Sequence, residues 1–390
     1  MQNFNFSHTT AIHFGKDAIN SLKKELPKYG NKVLLTYGGG SIKKNGIYDK
    51  TIEILKELNI GYFELNGIES NPKVQSVREG IKIIKENNIG FILAVGGGSV
   101  IDASKAMACG SLYEGDVWDF FERKAHVKEA LPLGCILTLS ATGTEMNGNS
   151  VVSDLTKNQK LGLGSELLKP KFSVLDPSYT SSVNEYYTAA GVVDICSHIF
   201  EQYFSPIDGT FVLDRLSEAL LKTVIHYGPI ALKEPNNFEA REQIMWAGTL
   251  ALNGTLNSGK PGDWATHGIE HEVSAYYDVA HGAGLSALTP YWMDYVLNDN
   301  TKDRFINLAR NVFDVEGEDN LETAKKGILA VKDFFKSLNM PVDLKSLIPD
   351  DSKLNLMAKG AVSFGEIGGL KRLNENDVLN ILKNSYNEII

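Results

Sequence analysis

Cysteine is scarce in this chain, which has three cysteines, Cys109, Cys135 and Cys196, among 390 residues. Their odd number and apolar surroundings argue against a secreted disulfide framework and predict buried free thiols in a reducing compartment. No two of them form a Cys-x-x-Cys pair. A structural zinc site built from thiolates is therefore not expected.

Long apolar runs and an excess of positive charge are also absent. No uninterrupted apolar segment reaches membrane-spanning length, and the polar start of the chain, 1–8, lacks the basic and apolar regions of a secretory signal. The formal net charge is -9, and phosphate-backbone affinity needs clustered Lys and Arg. We expect a cytoplasmic protein whose partner is a small molecule, with no nucleic acid and no membrane.

The first half of the chain alternates short apolar runs with helical patterns. The predicted strands are 11–15, 32–37, 62–65, 91–95 and 133–138, the predicted helices are 48–59, 74–88 and 100–109, and β-like runs at 151–153 and 172–175 are expected to close the sheet. Repeated strand-turn-helix units predict a parallel sheet covered by helices on both faces. This is an architecture that binds nucleotides.

The second half of the chain shows helical periodicity almost throughout. The predicted helices are 188–203, 211–227, 237–254, 264–275, 282–298, 301–312, 320–338 and 352–361. A chain of 390 residues is too long for one ordinary core. We therefore predict two domains, with a boundary near 178–184 and no flexible linker.

Two glycine-rich turns follow predicted strands, Gly38-Gly39-Gly40-Ser41 and Gly96-Gly97-Gly98-Ser99. Three glycines allow a tight turn and leave backbone amides bare, and a helix that begins there adds its dipole, so the turn can hold a phosphate. Neither turn has the G-x-G-x-x-G spacing. One such turn is equally typical of a plain strand-to-helix connection, whereas two in adjacent units favour a dinucleotide. A polar loop at 138–147 again follows a strand and offers hydroxyl groups.

A carboxylate and several histidines form a candidate metal site. Asp194 and His198 are four residues apart on a predicted helix and so point the same way, while His267 and His281 each precede a glycine that lets backbone approach closely. One carboxylate with imidazoles suits a divalent ion such as zinc or ferrous iron. His271 forms a second i, i+4 pair with His267, so spacing alone leaves open which three imidazoles bind.

Several of these motifs occur together in one known family. They are Gly96-Gly-Gly-Ser99-Val-Ile-Asp102, the Thr-rich loop at 138–145, Asp194-x-x-x-His198, His267-Gly268 and His281-Gly282. In this combination the chain resembles, over essentially its whole length, the iron-activated group III alcohol dehydrogenases. The segments 37–48 and 169–177 are most similar to the butanol dehydrogenase and broad aldehyde reductase branch. The resemblance implies a Rossmann-like α/β dinucleotide-binding domain at 1–180 and an all-α metal- and substrate-binding domain at 181–390, the dehydroquinate synthase-like fold.

The resemblance also implies a role for each matching residue. The metal ligands would be Asp194, His198, His267 and His281, around one divalent ion, Fe²⁺ or Zn²⁺. The cofactor contacts would be Gly38, Gly39, Gly40, Ser41, Gly97, Gly98, Ser99, Asp102, Thr138, Ser140, Thr142, Asn147 and Lys160. His271 corresponds to a histidine that lines the site, and it is our candidate proton relay. The chain departs from the family loop at Leu139 and Ala141, where only backbone contacts remain.

The residue that follows the predicted strand at 32–37 bears on the choice between NADP(H) and NAD(H). Family members that prefer NAD often carry an acidic residue there, which binds the ribose hydroxyls and repels a 2′-phosphate. Gly38 removes both effects, and Ser41 with Lys43 or Lys44 can hold the phosphate. We predict NADP(H) over NAD(H). The implied reaction interconverts short-chain primary alcohols and aldehydes, in a homodimer for which the N-terminal strand is a pairing edge.

Three alternatives remain at this stage. A glycerol or polyol dehydrogenase of the same superfamily would differ in its substrate pocket, whose candidate residues are mostly apolar. These candidates are Asn147, Val151, Trp246, Leu256 and Trp264. A metallohydrolase would need a carboxylate base, but we expect Glu270 and Glu272 to face solvent or to cap other contacts. A nucleotide-binding module without catalysis would need no metal.

Overall fold

A computed structural model describes all residues of the chain, Met1–Ile390. The chain divides into two compact units. One consists of Ser7–Val183 and Asn236–Met245, and the other of Met1–Phe6, Asn184–Pro235 and Trp246–Ile390. None of the helices combines the length and apolar character that a membrane crossing requires.

The unit built on Ser7–Val183 contains all of the strands. They are β1 (Ala11–Phe14), β2 (Lys32–Tyr37), β3 (Gly61–Leu65), β4 (Phe91–Gly96), β5 (Leu133–Leu137), β6 (Asn149–Asp154), β7 (Gln159–Gly164) and β8 (Phe172–Leu175). Six of them form a parallel sheet in the order β1-β8-β5-β4-β2-β3. The predicted parallel sheet is confirmed.

The prediction that 151–153 closes this sheet is wrong. These residues belong to β6, which pairs antiparallel with β7 in a separate two-stranded sheet. Four residues join the two strands, and Asn158 among them has a left-handed φ of 47°, so the chain turns directly back on itself. The sequence analysis did not predict β7.

Both faces of the parallel sheet are buried by helices. The helices of this unit are α1 (Leu22–Glu25), α2 (Ser41–Lys44), α3 (Ile47–Glu57), α4 (Val74–Asn87), α5 (Gly98–Gly110) and α6 (Trp118–Phe121). Within β4, Ile92 and Ala94 pack into the cluster on one face, while Phe91, Leu93 and Val95 pack into the cluster on the other. Because alternate residues point to opposite faces, a strand buried on both sides is apolar throughout.

The strand order places a topological switch point at the carboxyl ends of β2 and β4. From these two neighbours the chain continues in opposite directions, to β3 on one side and to β5 on the other. Tyr37 lies beside Val95 in the register, so the two glycine-rich turns emerge next to each other. Ligands of open α/β sheets bind at such a switch point.

The other unit is helical. Its helices are α7 (Glu185–Tyr203), α8 (Phe211–Lys233), α9 (Phe238–Ala251, whose first half belongs to the sheet unit), α10 (Ala265–Tyr277), α11 (His281–Val296), α12 (Lys302–Phe313), α13 (Leu321–Ser337), α14 (Leu354–Ala361) and α15 (Glu375–Asn387). The sequence analysis did not predict α15. Helix α7 is buried from Thr188 to Tyr203 and packs against α11. Charged groups inside such a helix need partners.

The three cysteines are free and buried, as predicted. Burial raises the pKa of the Cys109 thiol to about 12 and that of the Cys135 thiol to about 12. Since the thiolate is the reactive form, these cysteines are packing residues.

Candidate functional site

One carboxylate oxygen of Asp194 lies at the centre of the histidine cluster. The Oδ1 atom is 3.4 Å from Nδ1 of His198, 3.9 Å from Nε2 of His267 and 3.6 Å from Nε2 of His281. Ligand atoms of Asp194, His267 and His281 all lie within 4.8 Å of one another. His198 borders this triplet, because its ring centroid is 4.6 Å from that of His267. The structure therefore brings together all four residues predicted as metal ligands.

The geometry of the cluster fits a divalent ion. Ligands about 2.1 Å from a tetrahedral ion lie about 3.4 Å apart, close to the shortest spacing in the cluster. The Nδ1 atom of His198 is buried and makes no hydrogen bond. Burial, followed by the charges of His267 and His281, lowers the pKa of His198 well below its usual range. The imidazole is then neutral, as a metal ligand must be.

Close approach of two helix backbones places His281 beside Asp194. A Cβ atom on Gly282 would lie 2.0 Å from the carbonyl oxygen of Ala190, one turn before Asp194 on α7. Only glycine permits this contact between α11 and α7, so the predicted close approach at Gly282 is confirmed. Gly268 does not have this role, because its nearest neighbour would be the side chain of Ile367 at 3.5 Å.

Two buried glutamates contact histidines of the cluster through Nδ1, while the Nε2 atoms of these histidines face Asp194. Glu201 Oε1 is 2.9 Å from Nδ1 of His267, and Glu270 Oε2 contacts Nδ1 of His281. Glu201 is 2% exposed and Glu270 is fully buried. Burial raises the pKa of Glu201 to about 7. Asp194, Glu201 and Glu270 thus place three buried carboxyl groups around the imidazoles, a donor set that suits a divalent cation.

Sequence reasoning missed the first glutamate and misplaced the second. Glu201 lies three residues after His198 on α7, and Glu270 lies three residues after His267 on α10, so helical spacing could have found both. The expectation that Glu270 faces solvent is wrong, because packing of α10 on α11 buries it against Gly284. Glu272 is half-buried, not solvent-facing, and its carboxylate lies where a Cβ of Gly360 would be.

His271 lies at the margin of the cluster. Its ring centroid is 5.8 Å from that of His281, and the side chain is half-buried. Its ligand atoms group with those of Glu270 and His281. The predicted role as proton relay stays a prediction.

Trp264, one of the pocket candidates, borders the histidines directly. Its ring centroid is 5.5 Å from that of His267 and 6.4 Å from that of His198. The residue precedes α10 with a left-handed φ of 64°, which is rare for a bulky side chain and marks a constrained position. Among the other candidates Leu256 is buried and Trp246 is exposed.

The glycine-rich turn after β4 packs against the polar loop at 138–147. A Cβ on Gly98 would lie 2.7 Å from Oγ1 of Thr142, and one on Gly97 would lie 3.2 Å from Cβ of Leu139. Helix α5 begins at Gly98 and runs for 13 residues, so its first-turn amides and its dipole face this edge. The glycine-rich turn after β2 is different. Gly39 has open space around it, and Gly40 adopts a φ of 95° before Ser41 begins α2.

Asp102 and Asn147, predicted cofactor contacts, have extensive bonds within the protein. Asp102 accepts hydrogen bonds from the Thr144 hydroxyl at 2.6 Å and from the Val151 amide at 2.9 Å. Asn147 donates to the Gly143 carbonyl at 2.8 Å. Both side chains are buried and hold the 138–147 loop. Their contact with a cofactor stays a prediction, as does that of Lys160, which is buried on β7.

Lys105, which the sequence analysis overlooked, connects α5 to the same loop. Its fully buried ammonium donates to the carbonyl and hydroxyl oxygens of Thr144 at 2.7 Å and 2.6 Å. It also donates to Asn147 Oδ1 at 3.2 Å and to the Asn149 carbonyl at 2.8 Å. Burial lowers the pKa of Lys105 to about 8, and the charge of Asp102 opposes this shift.

An aromatic and acidic cluster lies next to the first glycine turn. The hydroxyl groups of Tyr37 and Tyr48 donate to the two oxygens of Glu64 at 2.5 Å and 2.7 Å. The ammonium of Lys43 lies over both tyrosine rings, 5.1 Å and 4.6 Å from their centroids. Both Lys43 and Lys44 are exposed, but Lys43 contacts the rings of this cluster.

The remaining predicted cofactor contacts follow β5 and β4. The Thr138 amide donates to the Gly96 carbonyl at 3.0 Å, which ties the two loops together. The Ser140 hydroxyl oxygen is buried without a hydrogen-bond partner, and Ser99 is half-buried in the first turn of α5.

Comparison with known proteins gives a consistent result. Residues 9–177 match the model for iron-containing alcohol dehydrogenase, and residues 188–386 match that for the C-terminal part of the Fe-containing alcohol dehydrogenase family. NADH-dependent butanol dehydrogenase A of Clostridium acetobutylicum is 48% identical, covering 99% of this chain and 100% of that protein. NADPH-dependent aldehyde reductase YqhD of Escherichia coli is 38% identical, covering 96% of each. The crystal structure of NADH-dependent butanol dehydrogenase A from Thermotoga maritima matches with a TM-score of 0.96 at 38% identity, over 99% of both chains.

A switch point lined by glycine turns and a buried carboxylate–imidazole cluster define a class, the metal-dependent oxidoreductases that use a nicotinamide dinucleotide. The chain belongs to the iron-containing alcohol dehydrogenase family, in the butanol dehydrogenase and aldehyde reductase branch. It is an NAD(P)H-linked alcohol dehydrogenase or aldehyde reductase. This sets aside the metallohydrolase and the module without catalysis, and it confirms the family resemblance seen in the sequence.

Proposed function

We propose that the protein interconverts short-chain primary alcohols of about butanol size and their aldehydes, using one divalent ion, Fe²⁺ or Zn²⁺, and NADP(H). The observation that carries the proposal is the cluster around Asp194 in a chain that also has a glycine-lined switch point. The relatives named above support the substrate class, since they are butanol dehydrogenases and an aldehyde reductase.

In this proposal the metal ligands are Asp194, His198, His267 and His281. The ion, when bound, polarises the oxygen of the substrate. The chain's own contribution is to present four ligand atoms from α7, α10 and α11 in a buried setting that excludes water. Trp264 narrows the space beside His198 and His267, where an apolar wall favours an aliphatic substrate over a polyol.

The cofactor contacts remain those predicted from the motifs. The cofactor supplies or accepts the hydride. The N-terminus of α5 at 97–99 would hold the pyrophosphate, and the turn at 38–41 would hold the adenosine ribose. Asp102, Thr138, Ser140, Thr142, Asn147 and Lys160 would shape and contact the nicotinamide side, with Lys105 keeping the loop in place.

His271 is the proposed proton relay, since imidazole titrates near working pH. His271→Ala should lower kcat roughly 100-fold or more, while metal content stays near that of the wild type. Steady-state kinetics and metal analysis of the same preparation check this. If His271→Ala protein purifies without metal, the residue is a ligand and the relay assignment fails.

The preference for NADP(H) rests on Gly38, Ser41 and Lys44. Gly38 brings no carboxylate to the end of β2, and Ser41 begins α2 beside it. Lys43 is less suited to the phosphate than the sequence suggested, because it lies over Tyr37 and Tyr48. Three butanol dehydrogenases that are 46–48% identical to this chain are described as NADH-dependent, which opposes the proposal. The aldehyde reductase YqhD is described as NADPH-dependent, which supports it.

A substrate and cofactor panel tests the proposed reaction. Butanal reduction followed at 340 nm should be faster with NADPH than with NADH, and butanal should be a better substrate than glyceraldehyde. A tenfold or greater NADH preference in kcat/KM overturns the cofactor proposal. A preference for polyols would favour the runner-up, since 1,3-propanediol dehydrogenase of Klebsiella pneumoniae is 26% identical.

The remaining assignments are part of the same proposal. Residues 1–180 would be the dinucleotide-binding domain, and 181–390 the metal- and substrate-binding domain. Strand β1 ends the parallel sheet, and its free edge supports a homodimer, which light scattering can test. The three buried free thiols support a cytoplasmic location.

A further inference from the structure

We propose that Glu201 and Glu270 are positioning residues of the metal centre, each holding one ligand histidine by its Nδ1 atom so that Nε2 points toward Asp194. The inference rests on the proposed metal site. It assigns a function to two buried acids that do not themselves belong to the proposed ligand set.

Glu201 links two of the helices that carry ligands. It belongs to α7, as do Asp194 and His198, yet its carboxylate reaches the N-terminus of α10. It accepts the amide of Trp264 at 2.6 Å, the amide of His267 at 2.9 Å and Nδ1 of His267 at 2.9 Å. One side chain therefore fixes both the backbone and the ring of His267.

Glu270 has a similar role, through bonds to two side chains. One carboxylate oxygen contacts Nδ1 of His281 and the other accepts the hydroxyl of Ser274. Gly284 leaves the room for this arrangement, since a Cβ there would lie 2.7 Å from Cγ of Glu270. The carboxylate is thus held from two sides, and its orientation fixes the ring of His281.

The chemistry follows from the two nitrogens of imidazole. A carboxylate at Nδ1 requires the proton to be there, which leaves the lone pair at Nε2 for a metal. The Nε2 atoms of His267 and His281 are the ones that face Asp194. Loss of such an outer partner typically weakens metal binding by about 10- to 100-fold.

The decisive variants are at Glu270, because its bonds to His281 and Ser274 join side chains. Glu270→Gln keeps an acceptor for Nδ1 and removes the charge, whereas Glu270→Met removes both. Apo-protein would be titrated with Zn²⁺ in competition with a chromophoric chelator. We expect Kd to rise about 10-fold in Glu270→Gln and about 100-fold in Glu270→Met, with circular dichroism of the apo-protein unchanged.

Two further variants separate position from charge and from burial. Gly284→Ala keeps the carboxylate but displaces it, so Kd should rise as well. Glu272→Gln alters a second glutamate of the same helix, which is half-buried against Gly360, and should leave Kd unchanged. Glu201→Gln should weaken Zn²⁺ binding and also lower the thermal stability of the apo-protein, because Glu201 bonds the α10 backbone.

The outcomes distinguish this inference from the proposed function. Equal Zn²⁺ affinity in wild type, Glu270→Gln and Glu270→Met overturns the positioning role while leaving the metal site intact. An equal loss of affinity in Glu272→Gln also overturns it, because the effect would then be a general one of burial. A wild-type protein that binds no Zn²⁺ or Fe²⁺ overturns the proposed metal site itself.

Discussion

The carboxyl ends of β2 and β4 and the histidine cluster are two candidate binding regions with opposite designs. At the carboxyl ends of β2 and β4 the proposed binding groups are backbone amides, and Gly97 and Gly98 lie where a Cβ atom would meet Leu139 or Thr142. In the cluster the proposed binding groups are side chains on three helices, and buried carboxyl groups contact two of them. The first region should be sensitive to added atoms, and the second to removed ones.

The largest effect is expected from removing a ligand. His267→Ala should lose bound metal and activity together, because His267 contributes both to the triplet around Asp194 and to the contact with Glu201. Elemental analysis and kinetics of one preparation measure both. His226→Ala is the matched control, since His226 is exposed on α8, where its ring lies edge-on to that of Tyr227. Full metal content in His267→Ala would remove this residue from the ligand set.

Adding one carbon to the glycine turn after β4 should weaken cofactor binding and leave metal binding unchanged. In Gly98→Ala the new Cβ meets Thr142 at 2.7 Å, and overpacking of this kind costs about 1–3 kcal/mol, or roughly 10-fold or more in KM for the cofactor. Metal content should not change. Gly162→Ala serves as the control, because its nearest neighbour is 4.0 Å away. An unchanged cofactor KM would mean that the turn is only a connection.

Removing the charged side chain of Lys105 tests whether this residue supports the backbone of the loop at 138–147. Lys105→Met leaves Asp102 without its nearby positive charge and takes one donor away from each of four acceptor atoms. Breaking a buried charged network costs about 3–5 kcal/mol. We expect a lower Tm and a higher cofactor KM, with normal metal content. A more stable variant with unchanged KM would contradict the assigned role.

A smaller effect is expected on the pH dependence of folding stability, and it concerns Glu272, which lies outside the histidine cluster. Burial raises the pKa of Glu272 to about 7, so between about pH 4.5 and 7 the unfolded chain is ionised while the folded chain keeps its proton. The folded state then binds more protons, and its stability falls as pH rises through this window. Glu272→Gln lacks this dependence on pH, so its free energy of unfolding relative to that of the wild type should rise from about pH 4.5 to 7, by at most about 3 kcal/mol. The Tm of the variant minus that of the wild type should increase over the same range. A difference that is constant with pH would contradict the shift.

Patterns along the chain predicted much of this molecule. Strands such as β2 and β4 were predictable because burial on both faces makes them apolar runs, and the two glycine turns follow them directly. The cluster could be anticipated because Asp194 and His198 share a helical face, although the union of α7, α10 and α11 depends on tertiary packing at Gly282. Strand β7 was not predictable in the same way, since Gln159–Gly164 mixes polar, glycine and apolar residues.

The glutamates and Lys105 were missed for a different reason. A buried charged residue looks like a surface residue in a sequence, because its partners lie elsewhere in the chain. Glu201 finds its partners more than 60 residues away, and Lys105 about 40 residues away. Such residues become visible only once the helices and loops are in place.

The central claim is that the Asp194 cluster holds the ion on which hydride transfer depends. The most direct measurement is butanal-dependent oxidation of NADPH or NADH before chelation, after chelation, and after Fe²⁺ or Zn²⁺ is returned. The account predicts that the rate disappears with the metal and returns with it, without unfolding of the apo-protein. A rate that is unchanged in protein shown by elemental analysis to be free of metal would contradict it.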